Sequence, residues 1–325
     1  MLSRFTLLKL IVVSLMVVPL LSCNYLDQLG AMRVFKEANT HYGRGDYEGA
    51  VERYEEIINI LEESGDATDL LNQQLSATYF YIGNSYDNLY KPARRGETDN
   101  DAYLLEAVRY YQLAVERIPD PAMKKLSMQY LVSVFGPDKA NDPSRSEPVL
   151  RDMIQIDPED PDNYFALANL YEQSGLYDDA EAVLQEVLTL RKSDPIVYLQ
   201  LAGFYNRAGE FEQTIQALEQ RASVEPNNPE AYYTISTFYW EKAFRDFRIT
   251  QDQKSDYVMA GLDAIEKALE LNDLYVEALV YKNILMRMQA NMTEDLDEQK
   301  SLIAEADEIR DMAERLQKEQ TEGSV

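Results

Sequence analysis

The chain has few of the residues on which metal binding and covalent cross-linking depend. Its 325 residues include one cysteine, Cys23, one histidine, His41, and one tryptophan, Trp240. A single cysteine excludes a disulfide within the chain, so packing alone must stabilise the fold. One histidine and one cysteine are too few for the zinc and other soft-metal sites that proteins build from these ligands. We therefore expect no metal site and no cofactor.

The sequence also lacks the motifs by which common enzyme classes are recognised. It contains no G-x-S-x-G nucleophile elbow, no phosphate-binding P-loop and no Rossmann glycine fingerprint. Paired carboxylates such as Glu55-Glu56 and Asp178-Asp179 are typical of solvent-exposed helix faces. A carboxylate pair for glycoside hydrolysis is the alternative that these pairs leave open. We expect no catalytic residue, and that the chain is not an enzyme.

Positive charge is scarce relative to negative charge. The chain has 31 lysines and arginines against 57 aspartates and glutamates, which gives a net charge of −26. Such a charge repels nucleic acid and anionic lipid headgroups, so we expect no nucleic-acid partner. With 46% hydrophobic residues and 23 tyrosines, the composition is that of a folded protein.

The strongest positive signal is a repeat of 34 residues. Pro161, Pro195 and Pro229 are separated by this interval. Each proline is followed at fixed offsets by a large, an apolar, a small and an aromatic residue. These residues are Tyr164, Leu167, Ala168 and Tyr171, then Tyr198, Leu201, Ala202 and Tyr205, then Tyr232, Ile235, Ser236 and Tyr239. Spacings of three, four and seven residues place each set on one face of a helix.

This pattern resembles the tetratricopeptide-repeat (TPR) family, whose W-x₂-L-G-x₂-Y order the three blocks follow. The resemblance implies an all-α fold, a right-handed TPR superhelix (α-solenoid) of about six to seven helix-turn-helix repeats. Gly175 suits the left-handed end of a first helix, and Asp178 suits the start of a second. Neither helix of a repeat can bury its apolar face alone, so the repeats must stack.

Seven candidate repeats follow when the template is extended along the chain. The first covers 31–64, and in it His41 takes the place of a tyrosine, which favours a structural histidine over a base or a ligand. The second begins at Ser76 and has extra residues between its two helices. The third, at 122–160, is degenerate because Gln129 occupies a position at which the repeat pattern has a small residue.

The last repeats depart from the template as well. The sixth starts at Pro229 and has about 13 extra residues after Trp240. The seventh starts at Val276 and ends in an amphipathic helix, as expected of a terminal repeat that covers the apolar end of a stack. We predict a TPR array over 31–275. Over 276–325 we predict a degenerate repeat and a C-terminal capping helix with a disordered tail.

The N-terminal residues resemble a bacterial lipoprotein signal peptide. Arg4 and Lys9 precede an apolar run, Leu10 to Leu21, that is short for a transmembrane helix. It ends in Leu20-Leu21-Ser22-Cys23, which resembles the lipobox, in which the cysteine becomes the lipid-modified first residue. The resemblance implies a signal peptide over 1–22, lipid attachment (palmitate) at Cys23 and a lipidated tether over 23–30. A signal anchor with an incidental cysteine is the alternative.

The residues after Cys23 bear on location. Asn24 follows the cysteine, where an aspartate would retain a lipoprotein in the inner membrane of diderm bacteria. The family rule therefore implies the periplasmic face of the outer membrane. The seven residues from Asn24 to Gly30 reach at most about 25 Å, so the array is expected to lie close to the membrane.

The resemblance also implies where a partner would bind. In TPR proteins the first helices line a groove, and here their fifth positions are apolar while several ninth positions are asparagine. Aromatic residues anchor partners, and asparagine can pair with the backbone of an extended peptide. The candidate groove residues are Phe35, Asn39, Phe80, Asn84, Phe165, Asn169, Tyr233 and, at its edge, Trp240. The alternative is that some fifth-position rings pack against the neighbouring repeat.

Two further features refine the choice of partner and surface. The fifth and sixth positions lack the lysine and arginine pattern with which TPR cochaperones grip a C-terminal carboxylate, so an acidic chain terminus is not the expected ligand. The extra residues of the sixth repeat, Lys242 to Asp256, include Phe244, Phe247, Arg245 and Arg248. They form either a second binding edge or a lengthened helix that shields its neighbour.

These expectations combine into one function with two alternatives. The resemblance implies a membrane-tethered TPR adaptor or scaffold that binds protein or extended peptide partners in the bacterial envelope, for example as an assembly factor. One alternative is a lipoprotein that captures a solute or glycan for uptake. The other, an envelope hydrolase, would need a compact polar pocket that the repeats do not indicate.

Overall fold

The computed structural model describes residues 30–63 and 69–322. The predicted signal peptide, Cys23 and nearly all of the predicted tether lie outside these residues. In the described part of the chain the regular elements are fourteen α-helices and one short 3₁₀ helix. No helix within that part is both long and apolar enough to cross a membrane.

The chain divides into two compact units, unit 1 up to Leu176 and unit 2 from Tyr177 onward. Unit 1 contains α1 (30–43), α2 (Tyr47–Glu63), α3 (Asp69–Leu89), the 3₁₀ helix (Pro92–Arg94), α4 (Thr98–Arg117), α5 (Pro121–Phe135), α6 (Pro143–Ile156) and α7 (Pro161–Gln173). Unit 2 contains α8 (Tyr177–Leu190), α9 (Pro195–Ala208), α10 (Phe211–Val224), α11 (Pro229–Arg245), α12 (Gln251–Leu271), α13 (Val276–Met292) and α14 (Leu296–Glu322).

Along the chain these helices follow one another in seven consecutive pairs, as the repeat predicts. Within each unit a helix packs mainly against its sequence neighbours, with additional contacts from α3 to α5 and from α11 to α13. Contacts restricted to adjacent elements are characteristic of stacked repeats. The all-α fold of helix pairs is therefore confirmed.

The prolines that mark the repeats occupy the first turn of their helices. In α5, α7, α9 and α11 the residue before the proline is the N-cap, and its side chain accepts a hydrogen bond from a backbone N–H of the first turn. Asp194 accepts from the N–H of Ile196 at 3.0 Å, and Asn228 from that of Glu230 at 3.0 Å. A capping oxygen and a proline satisfy or remove donors that would otherwise be unpaired, so Asp-Pro and Asn-Pro fix where these helices begin.

Glycines lie where the helix pairs need them. Gly175, after α7, has a φ of 75°, which confirms the predicted left-handed end of that helix. Gly83 in α3 faces the ring of Tyr111, and a Cβ atom at this position would lie 2.9 Å from a ring carbon. The glycine of the repeat pattern therefore lets α3 and α4 approach closely.

The core of each unit is formed by repeat positions. In unit 1 the largest fully buried side chains include Tyr54, Tyr111 and Tyr164. In unit 2 the corresponding interior is made of aliphatic side chains, with Leu218 and Ile265 fully buried, and small residues such as Ala202 lie between helices. Tyrosines of unit 1 thus fill space that leucine and isoleucine fill in unit 2.

Ala202 provides a test of the repeat register. It is buried in α9, which packs against α10, so Ala202→Leu is expected to lower the free energy of unfolding by about 1–3 kcal/mol through overpacking. Glu212 is exposed on α10, and Glu212→Ala is expected to change it by less than about 0.5 kcal/mol. Urea unfolding followed by circular dichroism measures both. Equal effects would contradict the register.

The extra residues of the atypical repeats adopt different structures. In the second repeat about half of them lengthen α4 at its start, and the others lie in the 3₁₀ helix and its flanking turns between α3 and α4. In the sixth repeat most of them lengthen helices, since α11 has 17 residues and α12 has 21 whereas α9 and α10 have 14 each. Only 246–250 remain as a loop. The capping helix α14 extends to Glu322, and the last three residues lie outside the described part.

Candidate partner-binding surface

The predicted aromatic residues of the first two repeats lie in the interior of unit 1. Phe80 is 5% exposed, and its ring centroid is 5.3 Å from that of Tyr130 on α5 and 5.8 Å from that of Tyr111 on α4. Phe35 is half-buried, and its ring centroid is 6.4 Å from that of Tyr81 in the second repeat. These rings pack against the neighbouring repeat, which corresponds to the alternative given by the sequence.

Asn84 is likewise occupied by other residues of the chain. Its Oδ1 accepts a hydrogen bond from the Tyr42 hydroxyl at 2.6 Å, and its Nδ2 donates to the Tyr111 hydroxyl at 3.3 Å. Burial raises the pKa of Tyr42 to about 12, so the hydroxyl keeps its proton and acts as a donor at neutral pH. Asn39 is exposed but accepts from the Tyr54 hydroxyl at 2.6 Å. Both asparagines therefore fix tyrosine side chains of the core.

A buried ion pair extends this polar network to a loop of the third repeat. Asp87 lies one turn after Asn84 on α3, and the Lys139 ammonium is 2.7 Å from its carboxylate. The Tyr111 hydroxyl lies 3.5 Å from the same carboxylate. Lys139 belongs to the loop 136–142 between α5 and α6, so this loop is tied to α3.

A side chain from the insertion of the second repeat also binds the loop 136–142. The guanidinium of Arg95 donates to the backbone carbonyl of Pro137 at 2.7 Å and to that of Lys139. Two connections that the repeat template treats as insertions or irregular loops therefore contact each other. Nothing in the periodicity indicates this contact, since Arg95 and Lys139 are both at polar positions outside the repeat pattern.

In the fourth repeat the predicted pair lies on α7. Phe165 is half-buried, while Asn169 is exposed and accepts a hydrogen bond from the Gln173 side chain at 3.1 Å. Both residues lie at the surface-facing positions that the repeat register predicts. Within unit 1 they are more accessible than Phe80 and Asn84.

Unit 2 brings the remaining predicted residues together in an aromatic cluster. We define the unit-2 aromatic cluster as Tyr233, Trp240, Phe244, Tyr275 and Tyr281. The Tyr281 ring meets Tyr233 at 5.4 Å and Trp240 at 5.3 Å, both edge to face, and so joins α13 to α11. Tyr233 also lies 5.2 Å from Tyr275. Trp240 stacks on Phe244 at 5.5 Å with a 9° angle between the rings.

The members of the cluster differ in exposure. Tyr233, Trp240 and Tyr281 are half-buried, whereas Phe244 is 64% exposed. Burial, followed by the neighbouring Tyr281 and Tyr275, raises the pKa of Tyr233 to about 12. The cluster thus offers ring faces and neutral hydroxyl groups at physiological pH.

Aliphatic residues occupy equivalent repeat positions on α9 and α13 of unit 2. Leu199 on α9 and Val280 on α13 occupy the fifth position of their repeats, as Tyr233 does, and both are exposed. Ile196 at the second position of its repeat is exposed too. We call the cluster together with Ile196, Leu199 and Val280 the unit-2 apolar face. The fifth positions of stacked repeats line one face of an array, and exposed apolar side chains mark an interaction site where they form a contiguous patch.

A model of the tetratricopeptide-repeat family matches residues 139–203 and 174–237. Residues 139–237 therefore match tetratricopeptide repeats. Comparison with curated proteins gives no match to the sequence. TPR arrays are interaction scaffolds whose stacked helices present extended surfaces.

Solved structures with similar folds include TPR proteins. The C-terminal part of a TPR repeat-containing protein from Cytophaga hutchinsonii aligns with a TM-score of 0.48 and 15% identity, over 87% of this chain and 98% of that one. A TPR protein from Parabacteroides merdae gives a TM-score of 0.41 and 13% identity, over 87% and 98% of the two chains. MamA from Desulfovibrio magneticus gives a TM-score of 0.39 and 15% identity, over 60% and 96%.

His41 has a structural environment in the first repeat. Its Nδ1 is 2.7 Å from Oδ2 of Asp46, across the turn that joins α1 to α2. This hydrogen bond, together with one from the backbone N–H of Gly49, lowers the pKa of the Asp46 carboxyl. Among residues 30–63 and 69–322, no group of three or more histidine, cysteine, aspartate or glutamate side chains is arranged to hold a metal ion.

Proposed function

We propose that this TPR protein is a lipid-anchored adaptor of the bacterial cell envelope that holds a protein or an extended peptide on the unit-2 apolar face. The observation that carries the proposal is that unit 2 has both exposed apolar residues at equivalent repeat positions and a partly exposed aromatic cluster. Trp240 and the tyrosines supply large contact areas at a small cost in side-chain entropy.

The chemistry of the surface favours an apolar or backbone-mediated ligand. The sixth positions of the last three repeats are Gln200, Thr234 and Tyr281, none of which is cationic. Hydroxyl and amide groups can donate to or accept from a peptide backbone. A ligand that relies on a terminal carboxylate would find no lysine or arginine at these positions.

The proposed tether rests on the sequence of the N-terminal residues. Cys23 follows a short apolar run, and lipid attachment there would hold the repeats at the periplasmic face of the outer membrane. At a net charge of −26, the chain would depend on acyl chains for stable attachment, because electrostatic attraction to anionic lipids is unavailable to it.

Charged substitutions on the unit-2 apolar face are expected to abolish partner capture. Leu199→Glu combined with Val280→Glu places two carboxylates on the surface that an apolar ligand would cover. Binding would then remove water from these charges without replacing it by polar partners. We expect the affinity for the partner to fall by about 30-fold or more, as at typical hot spots. The measurement is crosslinking and affinity capture of the lipidated protein from native membranes, followed by titration of the captured partner.

A matched control separates binding from stability. Leu271 at the end of α12 is 41% exposed, against 40% for Leu199, and lies on a second helix. Leu271→Glu is expected to leave capture unchanged, and all variants should melt near the wild type. If the Leu199→Glu and Val280→Glu variant captures the partner normally, the apolar face is not the binding surface. If no protein is captured but a glycan alters Trp240 fluorescence, the chain is a solute-capturing lipoprotein instead.

A further inference from the structure

The loop between α11 and α12 presents an aromatic side chain directly to solvent. We define the α11–α12 tip as residues 244–248. Phe247 at its apex is 95% exposed, and Phe244 before it is 64% exposed. A phenylalanine this exposed contributes nothing to the core of unit 2.

The backbone of the tip is fixed by its own hydrogen bonds. The Asp246 carboxylate accepts from the backbone N–H of Arg248 at 3.1 Å and pairs with the Arg248 guanidinium at 2.8 Å and with Lys242 at 3.0 Å. Thr250 and Gln253 form a capping box at the start of α12. Since both ends of the loop are anchored, Phe247 is held outward by the structure.

The tip also carries a net positive charge, whereas the chain as a whole is strongly negative. Lys242, Arg245 and Arg248 lie within one stretch of seven residues, although the chain as a whole has a net charge of −26. Glu241 and Asp246 pair with all three cations, which leaves the segment from Glu241 to Arg248 with a net charge of +1, and the side chains of Arg245 and Arg248 are exposed. Guanidinium groups bind phosphate oxygens in bidentate geometry.

We infer that the α11–α12 tip docks onto the surface of a phospholipid bilayer, with Phe247 inserted at the boundary of headgroups and acyl chains and Arg245 and Arg248 at lipid phosphates. The inference rests on the proposed tether, which would keep every molecule within reach of a bilayer. An outward aromatic residue flanked by arginines matches the side chains of peripheral proteins that lie in the membrane interface.

The shape and charge of the tip favour a bilayer over an acidic protein segment. Phe247 protrudes and, with Phe211 and Phe238, borders an open groove, so a soft, deformable surface can accept its exposed ring without a complementary groove. The phosphate of a zwitterionic lipid satisfies the arginines, while the negative charge of the whole chain disfavours strongly anionic surfaces. The tip therefore acts as a second, weak contact that orients the tethered repeats.

The test moves the tryptophan of the chain to the apex. The full chain carrying Trp240→Phe and Phe247→Trp is reconstituted into phosphatidylcholine vesicles, with and without brominated acyl chains. We expect brominated lipid to quench the emission of the tryptophan at position 247. We also expect its emission maximum in vesicles to lie at a shorter wavelength than in detergent-free buffer. The matched control carries Trp240→Phe and Leu105→Trp, since Leu105 is similarly exposed but lies on α4. The control is expected to show no quenching.

A second variant keeps Trp240 as the reporter. Phe247→Ser is expected to lower the ratio of docked to undocked tips about tenfold, read as reduced quenching of Trp240, because the apolar ring no longer enters the bilayer. Unquenched emission in the Phe247→Trp variant, equal quenching in the Leu105→Trp control, or unchanged quenching in Phe247→Ser would each overturn the inference.

A spectral shift with soluble poly-glutamate but not with vesicles would assign the tip to an acidic protein partner. Acyl labelling of Cys23 is measured separately, so failure of the tether is distinguishable from failure of the tip.

Discussion

Replacing Cys23 with serine is expected to abolish both acyl labelling and cleavage after Ser22. In the proposed attachment the lipid is joined to the cysteine sulfur, and a serine hydroxyl is a far weaker nucleophile than a thiolate. Because each buried methylene contributes about 0.8 kcal/mol to membrane affinity, loss of the acyl chains would release any processed chain from the membrane. Metabolic labelling with a fatty-acid analogue, followed by membrane fractionation, measures both effects.

The neighbouring residue supplies the control for this experiment. Ser22→Ala keeps a small residue before the cysteine and is expected to leave labelling and processing unchanged. A processed Cys23→Ser chain that stays in the membrane fraction would contradict the proposed lipid attachment. The same chain would still contain the repeats, so the partner-capture experiment can be repeated on it to separate tethering from binding.

Breaking the ion pair between Lys139 and Asp87 is expected to destabilise unit 1 strongly. The Asp87 side chain is 6% exposed, so Lys139→Met leaves a carboxylate buried without its counter-charge. Removing one partner of a buried pair costs about 3–5 kcal/mol. Urea unfolding followed by circular dichroism measures the loss, and the fluorescence of Trp240 reports on unit 2 as an internal reference.

Lys282 provides a matched control for the ion-pair experiment. Its side chain is about as buried as that of Lys139, but its partner Glu266 is 56% exposed and 3.5 Å away. Lys282→Met therefore leaves a hydrated carboxylate and is expected to change the free energy of unfolding by less than about 1 kcal/mol. Equal effects of Lys139→Met and Lys282→Met would show that burial of Asp87 does not decide the stability of unit 1.

The helices and their starting points could be predicted from the sequence because the signals are local. An Asp-Pro or Asn-Pro pair fixes the first turn, as at Asp194, and the small and aromatic residues that follow define one apolar face. Gly175 ends α7 in the left-handed conformation that its lack of a Cβ atom permits. Each of these features depends on residues within one turn or one repeat.

The environment of the candidate site could not be predicted in the same way. Phe80 and Asn84 match the groove positions of the repeat, yet Tyr111 and Tyr130 cover them, because these tyrosines are large enough to fill the space between repeats. The pairing of Asp87 with Lys139 joins residues that are 52 positions apart. In the sixth repeat, pairs such as Arg245 with Glu241 stabilise further helical turns, so the extra residues lengthen helices and leave a short loop.

The side-chain contacts that join α3, the 3₁₀ segment and the loop 136–142 affect how unit 1 unfolds. In stacked repeats, stability is approximately a sum of the stability of each repeat and of its interfaces, and repeats fray one at a time from an end where an interface is weak. Lys139 and Arg95 strengthen the interface between the second and third repeats with side chains from both. We therefore expect these two repeats to open in a single cooperative step.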